Sequence, residues 1–129
     1  MADSGPHRVL VIDDAALVRV YYRDALERAG YEVDEALNGL EALEKLLVSP
    51  FDLLIVDVNM PQMDGFTFLK VLRRQAPPIC TLPAIVISTE AKRQDREAAT
   101  AAGANFYLLK PVRPADLLAY AGLLCEPAS

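Results

Sequence analysis

The sequence is poor in the residues on which disulfide frameworks, zinc sites and histidine chemistry depend. It contains two cysteines and one histidine among 129 residues. Cys80 and Cys125 lie far apart and form no Cys-X-X-Cys pair, so neither a disulfide framework nor a zinc site is expected. His7 lies in a polar leader, and we expect it to take no part in the chemistry of the protein.

Long apolar runs and an excess of basic residues are also absent. No run approaches the ~18 apolar residues of a membrane span, and Met1 to His7 contain no apolar signal segment. We therefore expect a cytoplasmic protein without membrane insertion. Lysine and arginine number 13 against 18 acidic residues, which gives a net charge of −5. This balance argues against nucleic-acid binding, because phosphate contacts need clustered basic side chains.

The length of the chain bounds its domain organisation. A chain of 129 residues forms one domain and buries about two-thirds of the surface that its unfolded form exposes. No repeat, low-complexity tract or internal linker interrupts it. We predict a polar N-terminal leader at 1–7, one domain at 8–125 and a short tail at 126–129.

Hydrophobic patterning predicts five strands that alternate with five helices. Short apolar or alternating runs are typical of strands, and apolar residues three and four positions apart are typical of helices. The predicted strands are 8–12, 32–36, 53–57, 83–87 and 105–109. The predicted helices are 15–29, a segment between Asn38 and Pro50, 66–75, 90–102 and 114–124.

Two of these helices carry specific expectations. In the second helix, Leu40, Leu43, Leu46 and Leu47 are predicted to face inward. Helix 90–102 is polar and alanine-rich with few large apolar anchors, so it should be the most loosely held of the five.

Strands and helices in strict alternation favour a parallel sheet covered on both faces. Right-handed crossovers and a weak second strand favour the strand order 2-1-3-4-5. The predicted fold class is therefore α/β, a flavodoxin-like five-stranded parallel sheet with five helices on both faces.

Polar side chains collect where the predicted strands end. They are Asp13 and Asp14 after the first strand, Asp57 at the end of the third, Ser88 and Thr89 after the fourth, and Lys110 after the fifth. In the predicted order these four strands are neighbours, so the side chains converge on one edge of the sheet. Three neighbouring carboxylates repel one another and need compensating cations. Lys110 supplies one positive charge, and carboxylate, carbonyl and water oxygens suit Mg²⁺.

Asp57 follows four apolar residues, Leu53 to Val56, at a position where a carboxylate without a function would be costly. Such a carboxylate can attack phosphorus and form an aspartyl phosphate. Phosphoryl transfer needs mainly positioning and neutralisation of charge on the equatorial oxygens. Lys110, Ser88 and loop amides near Asn59 and Thr89 are candidates for that task.

Each of these residues also has a simpler interpretation. Asp13 and Asp14 could cap the following helix, and Ser88 could cap the next one. Lys110 could be a surface lysine in a turn. Tyr107 could be a half-buried aromatic of the fifth strand.

Taken together, the motifs resemble those of response-regulator receiver domains over 8–124, nearly the whole chain. The resemblance is carried by Asp13-Asp14, by Asp57 with Met60-Pro61 and Asp64-Gly65, by Ser88, and by Lys110-Pro111. It implies that Asp57 is the phosphoacceptor and that Lys110 contacts the phosphoryl group. It also implies that Asp14, Asp57 and the Asn59 backbone carbonyl bind Mg²⁺ directly and Asp13 through water, and that Ser88 and Tyr107 form a switch pair.

Within the family, the chain is most similar to the single-domain chemotaxis (CheY-like) type. Asn59, Glu90 and Tyr107 fit that type. The resemblance implies a sensor histidine kinase as phosphodonor, and a downstream protein bound by the face of the fourth helix, fifth strand and fifth helix. An auxiliary phosphatase and a monomeric state are further expectations. With no output domain after Ser129, the protein is expected to act by binding another protein.

Three positions depart from the common pattern of the family. Thr89 replaces a smaller residue, which leaves the lifetime of the phosphoryl group open. Ser88 replaces threonine but keeps the hydroxyl, and Val112 stands where phenylalanine is common.

Other functions remain as alternatives. An aspartyl-phosphate phosphatase or phosphotransferase would carry a second acid two residues after the nucleophile, where this chain has Asn59. A flavin or nucleotide module would need a phosphate loop after the first strand, where Asp13 and Asp14 repel anions. The chain could also be an isolated receiver domain of a larger regulator, or an inactive receiver used as a scaffold.

Overall fold

The computed structural model describes residues 7–125, in which five strands and five helices alternate. The strands are β1 (Arg8–Ile12), β2 (Glu32–Ala36), β3 (Leu53–Asp57), β4 (Ala84–Ser88) and β5 (Phe106–Leu109). The helices are α1 (Ala16–Arg28), α2 (Gly39–Val48), α3 (Gly65–Leu72), α4 (Arg93–Ala102) and α5 (Pro114–Leu124). A short 3₁₀ turn spans Ile79–Thr81. The predicted leader, apart from His7, and the predicted tail lie outside the described residues.

All strand pairs are parallel, and the sheet has the order β2-β1-β3-β4-β5. The predicted fold class and strand order are therefore confirmed. Every residue of β3 and β4 is buried, because these strands lie inside the sheet and are covered on both faces.

Alternation along the strands divides the core into two halves. On one face Leu10, Ile12, Leu54 and Val56 pack with apolar residues of α2, α3 and α4. On the other face Val9, Val11, Leu53 and Ile55 pack with residues of α1 and α5. The two halves leave the carboxyl ends of the strands as one polar edge.

The prediction of which residues of α2 face inward was partly wrong. Leu40 and Leu47 are 49% and 70% exposed, whereas Ala42 and Leu46 are buried. The small residues face the sheet because the helix lies close to its neighbours. A Cβ added at Gly39 would stand 2.8 Å from Met63 Sδ and 3.3 Å from Phe68 Cβ.

Two helix boundaries differ from the prediction by three residues. Helix α4 begins at Arg93 rather than at 90, because the amide of Glu90 bonds to Ser88 Oγ at 3.0 Å in a turn and Lys92 is extended. Helix α3 ends at Leu72 rather than at 75, and the amides of Arg74 and Gln75 instead close tighter turns onto Val71 and Leu72. The cap predicted at Asn38 is present, since its side chain accepts from the Glu41 amide at 2.8 Å.

Helix α4 presents only two buried residues, Ala99 and Ala102, to the core. Gly103 ends the helix with a φ of 104°, in the left-handed region that favours glycine. The few anchors match the expectation from the sequence, and the looseness of α4 stays a prediction.

Candidate functional site

The polar edge of the sheet brings together side chains from four neighbouring strands. Asp13 follows β1, Asp57 is the last residue of β3, Ser88 is the last residue of β4, and Lys110 follows β5. Parallel strands direct their carboxyl ends to the same edge, which is why distant parts of the sequence meet here. Asp13, Asp57 and Ser88 are almost completely buried, at 2%, 3% and 0% exposure.

Three carboxylates and one ammonium group form the centre of this site. Carboxylate oxygens of Asp13, Asp14 and Asp57 lie within 4.8 Å of one another. The Lys110 Nζ atom lies 3.0 Å from Asp57 Oδ1 and 3.8 Å from Asp13 Oδ2. One positive charge thus faces three acidic groups, so the site has an excess of negative charge.

Burial is the main cause of the perturbed acidity of this site. Burial raises the pKa of Asp57, while the nearby Lys110 ammonium group opposes that rise. Burial also raises the pKa of Asp13, against the hydrogen bond from the Ala15 amide. Both carboxylates are therefore held in surroundings that disfavour their charge.

The Asp57 carboxylate has a buried oxygen whose capacity to accept ligands is not filled by the described residues. Lys110 Nζ lies 3.0 Å from Asp57 Oδ1, and beyond this ion pair the oxygen is left without a hydrogen-bond partner. Buried polar atoms are rarely left in this state. An unsatisfied oxygen, surrounded by two more carboxylates, fits an oxygen-liganded divalent cation such as Mg²⁺.

Asp13 is held in place by several hydrogen bonds. Its Oδ1 atom accepts from the Ala15 amide at 2.9 Å, its own amide donates to Ala36 O at 3.1 Å, and its carbonyl accepts from Arg19 Nη1 at 2.7 Å. The cap residue of α1 is Ala15, without a side-chain cap bond, so neither acid caps this helix in the usual way. Asp14 is exposed, and its carboxylate belongs to the acidic cluster.

The loop from β3 to α3 lies directly against Asp57. The Gly65 amide donates to Val58 O at 2.9 Å, and Asp64 caps α3 by accepting from the Thr67 amide at 2.8 Å. A Cβ at Gly65 would stand 2.5 Å from Asp57 O, which leaves no room for a side chain. Asn59 lies exposed in this loop, two residues after Asp57.

Ser88 and Tyr107 contact the same residue of the β4–α4 loop. Ser88 Oγ accepts from the Glu90 amide at 3.0 Å, and the Tyr107 hydroxyl donates to Glu90 O at 2.6 Å. The Arg96 guanidinium of α4 lies 5.3 Å from the centre of the Tyr107 ring. Ser88 does not cap α4, whose cap residue is Lys92.

An apolar groove of about 480 Å³ adjoins the site and was missed by sequence reasoning. It lies between α1 and the segment after β5, and its lining includes Leu17, Tyr21, Thr89, Lys110 and Val112. Leu17 is 85% exposed, and the Tyr21 hydroxyl donates to Val112 O at 3.0 Å. The only signal in the sequence was the apolar stripe of α1. Some of its residues are not needed to cover the sheet, and these remain at the surface.

Two arginines of α1 were also missed. Arg19 Nε donates to Glu35 Oε1 at 2.8 Å, and Arg23 Nη1 donates to Glu35 Oε2 at 2.6 Å. The partial burial of Glu35 would raise its pKa, but hydrogen bonds from the two guanidinium groups lower that pKa below its ordinary value of 4.5. This carboxylate is therefore stabilised in its charged form.

The lowered pKa of Glu35 makes a prediction about acid stability. A carboxyl whose pKa is lower in the folded state stabilises the protein above its ordinary pKa, and this contribution is lost as the pH falls through the folded value. We expect Glu35→Gln to lower the free energy of unfolding by about 1 kcal/mol at pH 7, and by less at pH 3. Urea unfolding of both proteins at pH 7, 5 and 3 measures this. A difference that is the same at every pH would contradict it.

No helix in 7–125 combines the length and the apolar character that crossing a membrane requires.

Comparisons with known proteins identify relatives of the chain. A family model described as the response regulator receiver domain matches residues 9–121. Sensor protein EvgS of Escherichia coli (strain K12) is 39% identical over 104 residues, which are 81% of this chain and 8% of that protein. A protein-glutamate methylesterase/protein-glutamine glutaminase of Archaeoglobus fulgidus is 44% identical over 107 residues, 81% of this chain and 30% of that protein. The chain thus spans less than a third of the length of these curated relatives.

Solved structures are similar over nearly the whole chain. The chemotaxis response regulator CheY4 of Vibrio cholerae is 37% identical with a TM-score of 0.86, over 92% of this chain and 98% of that one. A putative response regulator from Chloroflexus aurantiacus J-10-fl is 36% identical with a TM-score of 0.87, over 92% of this chain and 97% of that one.

Proposed function

The chain belongs to the response regulator receiver domain family, and on that premise we propose that it is a phosphoacceptor switch whose acceptor is Asp57. The observation that carries the proposal is the buried Asp57 carboxylate at the end of β3, with Lys110 Nζ 3.0 Å from its Oδ1 atom. The proposed setting is a cytoplasmic two-component pathway, of the chemotaxis type.

In the proposed reaction, a carboxylate oxygen of Asp57 attacks the phosphorus of a phosphohistidine on a sensor histidine kinase. The P–N bond breaks, the pair of electrons stays on the imidazole, and a P–O bond to Asp57 forms. Lys110 would neutralise charge on the phosphoryl oxygens, a role supported by its ammonium group 3.0 Å from Asp57 Oδ1. The Ser88 hydroxyl lies at the end of the neighbouring strand and would serve the same oxygens.

The acidic cluster supports a role for Mg²⁺. When bound, the ion supplies charge neutralisation for the phosphoryl group. Asp14, Asp57 and the backbone carbonyl of Asn59 would hold it, with Asp13 acting through water. The three carboxylates within 4.8 Å and the unsatisfied Asp57 oxygen support this assignment.

The proposed switch runs through Glu90. Ser88 and Tyr107 hold opposite ends of this residue, one at its amide and the other at its carbonyl. A Ser88 hydroxyl that turned toward phosphoryl oxygens would release the Glu90 amide. Tyr107 and α4 would then be biased toward a second arrangement, and the face formed by α4, β5 and α5 would bind a downstream protein.

A phosphatase or phosphotransferase enzyme is the less favoured function. Asn59 stands where such an enzyme would carry its second acid, and an amide cannot act as a general acid or base in turnover. We propose that the domain instead supports its own phosphorylation and dephosphorylation, and that an auxiliary phosphatase acts on it.

The proposal is tested by intact-protein mass after incubation with acetyl phosphate, with and without Mg²⁺. The expected result is one added phosphoryl group that requires the metal. A rapidly hydrolysed adduct would escape this measurement, so binding of beryllofluoride, followed by backbone NMR shifts, is measured in parallel. If the protein gained no phosphoryl group and also failed to bind beryllofluoride, the proposal would be overturned.

Tyr107→Phe is expected to weaken the link between β5 and the β4–α4 loop. The variant loses the hydroxyl that donates to Glu90 O, at a cost of about 1 kcal/mol in the free energy of unfolding. It should also shrink the shift changes that beryllofluoride induces over residues 89–96. Urea unfolding and two-dimensional NMR measure the two effects, with Tyr120→Phe on α5 as the matched control. Shift changes equal to those of the wild type would contradict the role of Tyr107 in the switch.

A further inference from the structure

We infer that Arg19 is a positioning residue for the Mg²⁺ site, because its guanidinium group ties the peptide between Asp13 and Asp14 to a carboxylate on the edge strand. The inference rests on the proposed function, since it concerns the metal site of the same acidic cluster. It assigns a role in metal binding to a residue outside the cluster itself.

The contact is specific and largely buried. Arg19 Nη1 donates to Asp13 O at 2.7 Å, while Nε of the same group donates to Glu35 Oε1 at 2.8 Å. The Arg19 side chain is only 11% exposed, and the Glu35 side chain is 23% exposed. Arg23 Nη1 donates to the second oxygen, Glu35 Oε2, at 2.6 Å. Both oxygens of the carboxylate that orients Arg19 therefore accept hydrogen bonds from arginines.

The atom that Arg19 holds is well placed to act on the acidic cluster. A peptide unit is planar, so the carbonyl of Asp13 and the amide of Asp14 turn together. The amide of Asp13 is already fixed on Ala36 O at 3.1 Å. Because the carbonyl of Asp13 is also hydrogen-bonded, the backbone of Asp13 has little conformational freedom. This constraint restricts the orientation of the Asp14 side chain.

Asp14 depends on this constraint more than Asp13 does. The Asp13 carboxylate is buried and has its own bond from the Ala15 amide. The Asp14 carboxylate is exposed, yet it must lie within 4.8 Å of the other two carboxylate oxygens for the cluster to act as one site. Groups that orient metal ligands in this way typically change metal affinity by about 10- to 100-fold when they are removed.

The charge of Arg19 and its positioning role predict opposite changes in Mg²⁺ affinity. The direction of the change in a variant therefore tests the inference. Arg19 is a cation beside a site for a cation, so loss of its charge alone would tighten Mg²⁺ binding. Loss of positioning would weaken binding. A double variant, Arg19→Met with Glu35→Gln, removes one positive and one negative charge and so isolates the positioning effect.

The experiment measures Mg²⁺ affinity by calorimetry and by backbone NMR shifts, without any phosphodonor. Arg19→Met is expected to weaken binding about tenfold, and the double variant should weaken it at least as much, because it lacks the opposing charge effect. The matched control is Arg28→Met, which removes an arginine from the same helix where it pairs with Asp24 and contacts neither Glu35 nor Asp13. Its affinity should stay within about twofold of the wild type.

An Arg19→Met protein that binds Mg²⁺ as tightly as the wild type, or more tightly, would overturn the inference. So would an equal loss in Arg28→Met, because both arginines would then act only through general stability or charge. If Arg19→Met does not fold, Arg19→Lys replaces it; that variant keeps the charge but lacks the two-armed group, and wild-type affinity in it would overturn the inference.

The inference and the proposed function fail in different ways. Only the proposed function would be contradicted if Mg²⁺ binding depended on Arg19 but the wild-type protein took up neither phosphoryl groups nor beryllofluoride. Only the inference would be contradicted if the wild-type protein took up phosphoryl groups and Arg19→Met kept the wild-type Mg²⁺ affinity.

Discussion

Asp57→Asn is expected to abolish phosphoryl uptake and, at the same time, to make the metal-free protein more stable. The amide cannot attack phosphorus, so no mass increase should follow incubation with acetyl phosphate and Mg²⁺. The variant also removes one of three carboxylates that lie within 4.8 Å and share a single nearby lysine. Loss of that repulsion should raise the melting temperature by about 3–6 °C, equivalent to about 1 kcal/mol.

The pH dependence of this stabilisation has a definite sign. Burial raises the pKa of Asp57 in the folded state, so ionisation of this group costs stability at neutral pH. The cost disappears as the pH falls through the raised value and the carboxyl takes up its proton. The difference in melting temperature between Asp57→Asn and the wild type should therefore shrink on acidification from pH 7 to pH 4.

A matched control separates the site from general charge effects. Asp24→Asn makes the same change of charge on the outer surface of α1, where the Asp24 side chain is 59% exposed and pairs with Arg28. It should change the melting temperature by at most about 2 °C and leave phosphoryl uptake intact. An Asp57→Asn protein that still gains one phosphoryl group would show that the acceptor lies elsewhere.

Gly65→Ala is expected to lower the free energy of unfolding more than the addition of a methyl group at any other position of the site. The new Cβ would stand 2.5 Å from Asp57 O and 2.9 Å from Val58 Cα, both backbone atoms that cannot turn aside. Either α3 or the end of β3 must shift, at a cost of about 3 kcal/mol, which lowers the melting temperature by roughly 12 °C. A shift of Asp57 by a fraction of an ångström should also slow phosphoryl uptake by about a hundredfold.

Gly122→Ala provides the contrasting control. Gly122 lies within α5, and an added Cβ meets no atom within 4 Å there. Alanine is a better helix former than glycine, so this variant should gain about 0.5–1 kcal/mol in the free energy of unfolding. Thermal unfolding and the rate of labelling by acetyl phosphate are compared for both variants. If Gly65→Ala were as stable and as reactive as the wild type, the close contact between α3 and β3 would not matter.

The sequence predicted the strands well because each strand carries its own signal. The apolar runs that became β1, β3 and β4 end at Asp13, Asp57 and Ser88, and the structure ends them within one residue of these positions. Where a side chain caps a helix locally, as Asn38 does for α2, the boundary was also predictable. The start of α4 was not, because a turn closed by Ser88 Oγ competes with the helix over residues 89–92.

The inward face of α2 shows where periodicity stops being informative. A line through Leu40, Leu43 and Leu47 has the same spacing as one through Gly39, Ala42 and Leu46. The structure buries Ala42 and Leu46 and packs Leu43 against the core, while Leu40 and Leu47 are exposed. The small residues allow α2 to approach Met63 and Phe68 closely. Hydrophobicity alone favoured all four leucines, including Leu46, and close packing overruled it for Leu40 and Leu47.

By itself, the sequence determined the fold class and the set of polar residues at one edge of the sheet, and it favoured the strand order that the structure has. It could do so because parallel strands bring their carboxyl ends together whatever the helices do in detail. Only the tertiary structure decided which atoms meet there: Lys110 against Asp57, Arg19 on the carbonyl of Asp13, and Tyr21 on that of Val112. These contacts join segments far apart in sequence or side chain to backbone, so no spacing along the chain encodes them.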